Sequence, residues 1–233
     1  MIVKLEEVVP WGRSMWEYAH MFDLSDADLA TKKILGVGDG PASFNAEMHQ
    51  QGRRVVSCDP IYLFTGQQIR SRVEATHDRM VEFARQHHDT FTWRHIESPE
   101  AMGAVRLAAM ERFLADYESG MRDGRYVAAG LPTLPFADDA FDLALCSHLL
   151  FLYAEQLSLE FHVQGVIEIA RVAREVRIFP LLALGNVPSP HVGPVREELS
   201  RRGYLNEVRK VPYEFQKGGD EMLVVRRAGI VSA

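Results

Sequence analysis

The stretch Lys33-Ile34-Leu35-Gly36-Val37-Gly38-Asp39-Gly40-Pro41, answered by Val55-Val56-Ser57-Cys58-Asp59, constrains this chain more than any other part of it. An apolar run meets a glycine cluster, a helical pattern follows, and a second apolar run ends on an acid. That order predicts a strand, a tight loop, a helix and a second parallel strand, the opening unit of a nucleotide-binding α/β sheet. The glycines permit left-handed backbone angles and let main-chain N–H groups come close to a ligand. Asp59 then falls at the carboxyl end of the second strand, where a carboxylate can accept from both hydroxyls of a ribose.

The loop itself narrows the choice of nucleotide. A dinucleotide fingerprint reads G-x-G-x-x-G, its third glycine letting the helix pack beneath a pyrophosphate. Here the order is G-x-G-x-G-P, and Pro41 suits a first helical turn but has no N–H for a phosphate. Such a loop better matches a ligand without a pyrophosphate, such as S-adenosylmethionine.

The 233 residues, 47% of them hydrophobic, can bury a substantial core and predict one α/β domain over 1–233 with an insertion. A net charge of −6 argues against broad nucleic-acid or anionic-membrane binding. The basic residues Arg171, Arg174, Arg177, Arg196, Arg201, Arg202, Arg209 and Lys210 read as a solvated helical face. No apolar run reaches membrane-spanning length and the first residues lack a signal-peptide pattern, so a cytoplasmic protein is expected. Cys58 and Cys146 each end a predicted buried strand. Flanking a common first strand, they would lie roughly 9–10 Å apart, beyond disulfide reach, and no metal-ligand spacing is present.

Along the chain, residues 1–30 form an aromatic segment before the sheet, with Ser25 or Asp26 capping a short helix. A helix is predicted over 41–51, closed by Gly52. Residues 64–117 read as a helical insertion, longer than a plain crossover needs. Further strands are predicted over 126–130, 141–146 and 177–184, the last with Pro180 in an awkward interior place. Helices are expected over 158–174 and 192–202, and a closing hairpin over 208–215 and 222–226 around Lys217-Gly218-Gly219-Asp220.

Taken together, these features resemble the class I S-adenosylmethionine-dependent methyltransferases over nearly the whole chain. The Gly36–Asp59 unit, the stretch Leu134-Pro135-Phe136-Ala137-Asp138-Asp139-Ala140-Phe141-Asp142-Leu143 and the terminal hairpin carry the resemblance. It implies a seven-stranded Rossmann-like sheet, mostly parallel with one antiparallel strand, helices on both faces and the insertion after the second strand. It also implies that Gly36, Gly38, Asp39 and Gly40 approach the methionyl part of the cofactor and that Asp59 holds the ribose. Pro60, Ile61 and Tyr62 would flank the adenine, with Gly130 and Leu131 on its other edge. Relatives often place an acid near there, where this chain has Ala129 and Gly130. Ser147 and His148 would lie near the sulfonium and the acceptor.

Methyl transfer asks chiefly for positioning, because the sulfonium is already activated. A base is needed only if the nucleophile carries a proton, and His148 is the candidate. His162, in a helical pattern, reads as packing, and His87-His88 as a solvated pair. Arg13, among Trp11, Trp16, Tyr18 and Phe22, is placed to grip the cofactor carboxylate if the N-terminal segment folds over the loop as a lid. The reading is methyl transfer to an unidentified small molecule. A non-catalytic S-adenosylmethionine-binding protein and a nicotinamide-dependent oxidoreductase stand as alternatives.

Overall fold

The computed structural model describes residues 10–228. Seven strands form one sheet: β1 (Ile34–Val37), β2 (Val55–Cys58), β3 (Tyr126–Val127), β4 (Phe141–Ser147), β5 (Ala173–Phe179), β6 (Tyr204–Lys210) and β7 (Glu221–Arg227). Their spatial order is β3-β2-β1-β4-β5-β7-β6. The first five run parallel, and β7 is antiparallel to both β5 and β6. A mostly parallel, Rossmann-like seven-stranded sheet with a single antiparallel strand is the fold the sequence resemblance implies, and it is observed.

The central strands are apolar throughout because helices cover both faces. Alternation along each strand sends neighbours to opposite sides. Leu35, Val37, Ala144, Cys146 and Ile178 pack with α6 (Leu159–Val172) and α7 (Val192–Arg201). Ile34, Leu143, Leu145 and Val224 pack on the other side with α1 (Met15–Met21) and α3 (Phe44–Gln50). A short helix α2 (Asp26–Thr31) leads into β1. Its cap is Ser25, whose hydroxyl accepts from the Asp28 N–H while the Asp28 carboxylate accepts from the Ser25 N–H.

Between β2 and β3 the chain makes a 3-10 turn (Pro60–Leu63) and two long helices, α4 (Gly66–Gln86, 21 residues) and α5 (Pro99–Arg122, 24 residues). Thr65 and Ser98 cap them. Their apolar faces meet Tyr62 and Tyr126 in one cluster, through Ile69, Val73, Met110, Phe113 and Tyr117. The insertion is thereby fastened beside the edge of the sheet that β3 forms, over the carboxyl ends of the strands.

Several boundaries differ from the sequence expectation. Helix α3 starts at Phe44, so Pro41 sits in the preceding turn and not in the first helical turn. Strand β5 occupies 173–179 and not 177–184; it follows α6 directly and stops where Pro180 has no N–H to give the ladder. Strand β6 lies between Gly203 and Pro212, and five residues of the predicted 208–215 strand, 211–215, fall outside it by the same proline logic. Strand β3 keeps only Tyr126 and Val127. Nor are the basic residues of the C-terminal third a free strip: Arg171, Arg177, Arg202 and Lys210 each meet a carboxylate, and Arg177 is buried in β5. Cys58 and Cys146 are buried free thiols, both in register with Val37 on the two strands that flank β1. Among the described residues no helix is long and apolar enough to cross a membrane.

Candidate functional site

The turn after β1 is shaped by contacts that only glycine allows. Gly38 and Gly40 have φ of +70° and +54°. A Cβ on Gly38 would lie 2.6 Å from Leu149 Cδ2, whereas one on Gly40 would meet nothing within 4 Å. Gly36 plays a different part from the one expected of it. It does not line the cavity, and the Asp39 carboxylate occupies the space where its Cβ would be. That carboxylate faces inward, accepting from the Tyr18 hydroxyl at 2.7 Å and the Ser57 hydroxyl at 2.6 Å.

Asp59 closes the loop from the neighbouring strand. One of its oxygens accepts from the Gly40 N–H at 2.9 Å and the other from the Ile61 N–H at 2.8 Å. A carboxylate has about four lone-pair positions, so acceptor capacity remains on this half-buried side chain, which lines the cavity. Tyr62 departs from its expected place against an adenine. The 3-10 turn carries it into the helical insertion, and its hydroxyl donates to the Gly40 carbonyl at 2.8 Å. Pro60 and Ile61 do face the cavity, opposite Gly130 and Leu131. A Cβ on Gly130 would lie 2.8 Å from Pro60 Cγ, so the missing side chain there lets the two segments pack directly against each other.

These residues line one end of a cavity of about 880 Å³ at the carboxyl edge of the parallel strands, the ligand-binding edge of an open α/β sheet. Ser147 and His148, at the end of β4, line it as well. His148 has φ +52° and Phe151 has φ +69°, left-handed conformations that are uncommon for residues with side chains. The His162 imidazole holds this turn by accepting from the Phe151 N–H at 3.0 Å. His162 is therefore structural, as its helical setting predicts. The His148 Nδ1 lies 2.9 Å from Ser147 Oγ. Burial, with the charges of Arg13 and Arg106, holds the His148 imidazole neutral by pushing its pKa well below 6.5. Of the pair His87-His88, His87 faces the cavity and His88 is exposed, as expected only for the second.

Arg13 reaches the same cavity. Gly12 packs so closely on the Pro41 carbonyl that a Cβ would lie 2.1 Å from its oxygen, and the Arg13 carbonyl accepts from the Ser43 N–H. The guanidinium donates to the Trp11 carbonyl at 3.1 Å, and its buried Nε has no partner. Burial and the neighbouring Arg106 lower its pKa to about 10. The half of the N-terminal segment that follows is core: Tyr18, Met21 and Phe22 are fully buried, and Val9 lies outside the described residues.

Three groups here were not singled out from the sequence. Arg106 of α5 and Glu17 of α1, each 1% exposed, form a buried ion pair, and the Tyr213 hydroxyl donates to Glu17 at 2.9 Å. Burial opposes both charges, yet the pairing keeps Arg106 above and Glu17 below its ordinary value. The available signal was a charge on an apolar helical face: Met102, Arg106, Ala109, Met110 and Phe113 share one side of α5.

The Asp39 carboxyl is pushed up to about 6, first by burial. A raised acid binds more protons folded than unfolded between its two pKa values, so this group's stabilisation is present below about 4 and is lost as pH rises through 6. Relative to Asp39→Asn, the wild type should lose about 3 kcal/mol between pH 4 and 7, at 1.36 kcal/mol per unit. Urea unfolding at both pH values checks this, and a pH-independent difference between the two proteins refutes it.

No family model matches the chain. It is 32% identical over 226 residues to the uncharacterized protein MJ0045 of Methanocaldococcus jannaschii, covering 97% of this chain and 99% of that one, and the two belong to one family. Similar solved structures include magnesium protoporphyrin IX methyltransferase from Synechocystis PCC 6803 with bound SAM (14% identity, 91% of this chain and 75% of that chain, TM-score 0.43). Others are a SAM dependent methyltransferase from Aquifex aeolicus (15%, 90% and 90%, TM-score 0.41) and the 1,6-didemethyltoxoflavin-N1-methyltransferase of Burkholderia thailandensis (15%, 85% and 72%, TM-score 0.42).

Proposed function

We propose that this member of the MJ0045 family binds S-adenosylmethionine and transfers its methyl group to a small molecule. The observation that carries the reading is the placement of Asp59. Its carboxylate is fixed by the Gly40 and Ile61 N–H groups at the wall of a cavity that begins at an open left-handed glycine. A nucleoside with free ribose hydroxyls fits that acceptor, and the cavity surface of Pro60, Ile61 and Leu131 suits one face of a flat base. The Arg13 guanidinium, whose Nε has no hydrogen-bond partner, fits a carboxylate. S-adenosylmethionine carries all three groups, and when bound it supplies a methyl group already activated on a sulfonium.

The chain's own residues then bind, orient and exclude water. Gly38 keeps the loop close to Leu149, and Tyr62 pins the Gly40 carbonyl. Arg13 holds the amino-acid end, while α4 and α5 cover the cavity and keep the reacting centre dry. If His148 donates its Nδ1 proton to Ser147 Oγ, its Nε2 is free to accept a proton from the acceptor.

Calorimetry with S-adenosylmethionine and with NAD tests the cofactor, and saturable binding of NAD alone overturns the reading. Methyl-labelled cofactor incubated with a metabolite extract tests turnover; binding with no label transferred makes the protein a non-catalytic binder. Arg13→Ala should lose roughly 10–100-fold in affinity for S-adenosylmethionine, the worth of one or two charged hydrogen bonds. It should lose much less for the decarboxylated analogue. Equal losses for both remove Arg13 from the carboxylate.

A further inference from the structure

The cavity of about 880 Å³ lies near the upper end of the range for ligand pockets, about 300–1,000 Å³, and so has room for a second molecule beyond the one assigned above. Helix α4 runs along it, with Arg72, Thr76, Met80, Phe83 and His87 recurring at helical spacing on the lining face. At about 1.5 Å of rise per residue, His87 lies roughly 30 Å along the helix from Gly66. Gly66 follows closely on the turn that carries Pro60 and Ile61, so the His87 end is the one remote from the glycine loop. Phe83, Phe91 and Phe215 line the cavity there, the last two with ring centroids 4.9 Å apart, a surface that suits a flat ring.

A polar cluster interrupts this apolar wall, drawn from three segments far apart in the chain. His87, Thr90, Asn186 and Gln216 all line the cavity. The His87 carbonyl accepts from the Thr90 N–H and hydroxyl, and the Thr90 carbonyl accepts from the Lys217 N–H and the Asn186 amide. A carbonyl can only accept, so Asn186 gives Nδ2 to Thr90 and turns Oδ1 to Gln216, whose Nε2 donates at 2.9 Å. The same logic fixes His87. Its Nδ1 lies 2.9 Å from the Phe83 carbonyl, so Nδ1 carries the proton and Nε2 of the neutral ring is an acceptor. Among the described residues nothing donates to His87 Nε2 or to Gln216 Oε1, and one Nε2 hydrogen of Gln216 is unused. The charged residues that line the cavity are Arg13, Asp39, Asp59, Arg72 and Arg106, and none belongs to this cluster. A full charge on a ligand would go unpaired here, whereas a neutral donor meets two acceptors.

Resting on the function proposed above, we propose that this remote end selects the methyl acceptor as a flat, uncharged heteroaromatic ring whose edge carries N–H donors beside a carbonyl, the pattern of a cyclic imide or lactam. Gln216 Oε1 and His87 Nε2 accept from the N–H groups, and the spare Nε2 hydrogen of Gln216 goes to the carbonyl. Gln216 and His87 are thereby specificity residues and take no part in the transfer itself. A ring without the donors leaves both acceptors unpaired, and a site built on hydrogen bonds rejects such an analogue.

The probes are quinazoline-2,4-dione, which has two N–H donors, and its 1,3-dimethyl derivative, which has none. Each is titrated by calorimetry into the full chain saturated with S-adenosylhomocysteine. The dione should bind at least tenfold more tightly, about the worth of one hydrogen bond left unmade. In Gln216→Met that preference should shrink at least threefold while the dimethyl probe binds as before. If Gln216→Met does not bind S-adenosylhomocysteine, His87→Phe, which keeps a ring against Phe83, carries the test on the same criterion. An equal or reversed preference in the wild type overturns the proposal, as does an undiminished preference in the variant. Equal loss of both probes in the variant also overturns it, because the cluster would then only clasp the three segments together. So does failure of both probes to bind protein that binds S-adenosylhomocysteine. Failure of the wild type to bind S-adenosylhomocysteine instead overturns the cofactor assignment beneath it.

Discussion

Glu17→Ala is expected to cost about 3–5 kcal/mol of unfolding free energy, because it strands the Arg106 charge in the interior. Both side chains are 1% exposed, and Arg106 already has one nitrogen without a partner. The Tyr213 hydroxyl loses its acceptor in the same substitution. The capping box of α1, in which the Glu17 carboxylate accepts from the Ser14 N–H, disappears too. Urea unfolding of the two proteins measures the difference. Replacing both partners, Glu17→Met with Arg106→Met, should recover most of the loss, since an apolar pair leaves no uncompensated charge. A single variant within 1 kcal/mol of wild type, on the order of the worth of an exposed pair, would show that water reaches this cluster.

Asp59→Ala carries the largest expected effect on binding. On the proposed reading it removes two charge-assisted hydrogen bonds to the ribose, about 1.5–3 kcal/mol each. It also frees the Gly40 and Ile61 N–H groups that the carboxylate now orders. Affinity for S-adenosylmethionine should drop at least a hundredfold, of the order expected from losing about 3 kcal/mol. Calorimetry on a variant whose circular dichroism matches wild type gives the answer. Affinity within threefold of wild type would take Asp59 out of the binding site.

The local parts of the site were legible because their geometry is written in adjacent residues. Gly38, Gly40 and Asp59 lie on a strand-loop-helix-strand unit whose meaning depends on little outside it, and the structure gathers them at one end of the cavity. Tyr62 shows the limit of that logic. It follows Pro60 and Ile61 in sequence, yet the 3-10 turn rotates it away from the cavity and onto the Gly40 carbonyl. Gly36 shows the same limit, since its small size serves the Asp39 carboxylate and not a ligand.

The sequence by itself determined the opening strand-loop-helix-strand unit, the glycine loop and the strand-end acid, because apolar runs, glycines and prolines act through the backbone of their own segment. Only the tertiary structure decided that Glu17 meets Arg106 across 89 positions and that Arg13 lines the cavity with its Nε unpartnered among the described residues. It alone decided too that one face of α4 roofs that cavity. Helical periodicity says which face of α1, α4 or α5 is buried. Which face it meets follows from packing volumes and desolvation shared among segments far apart in the chain, and no local pattern records that.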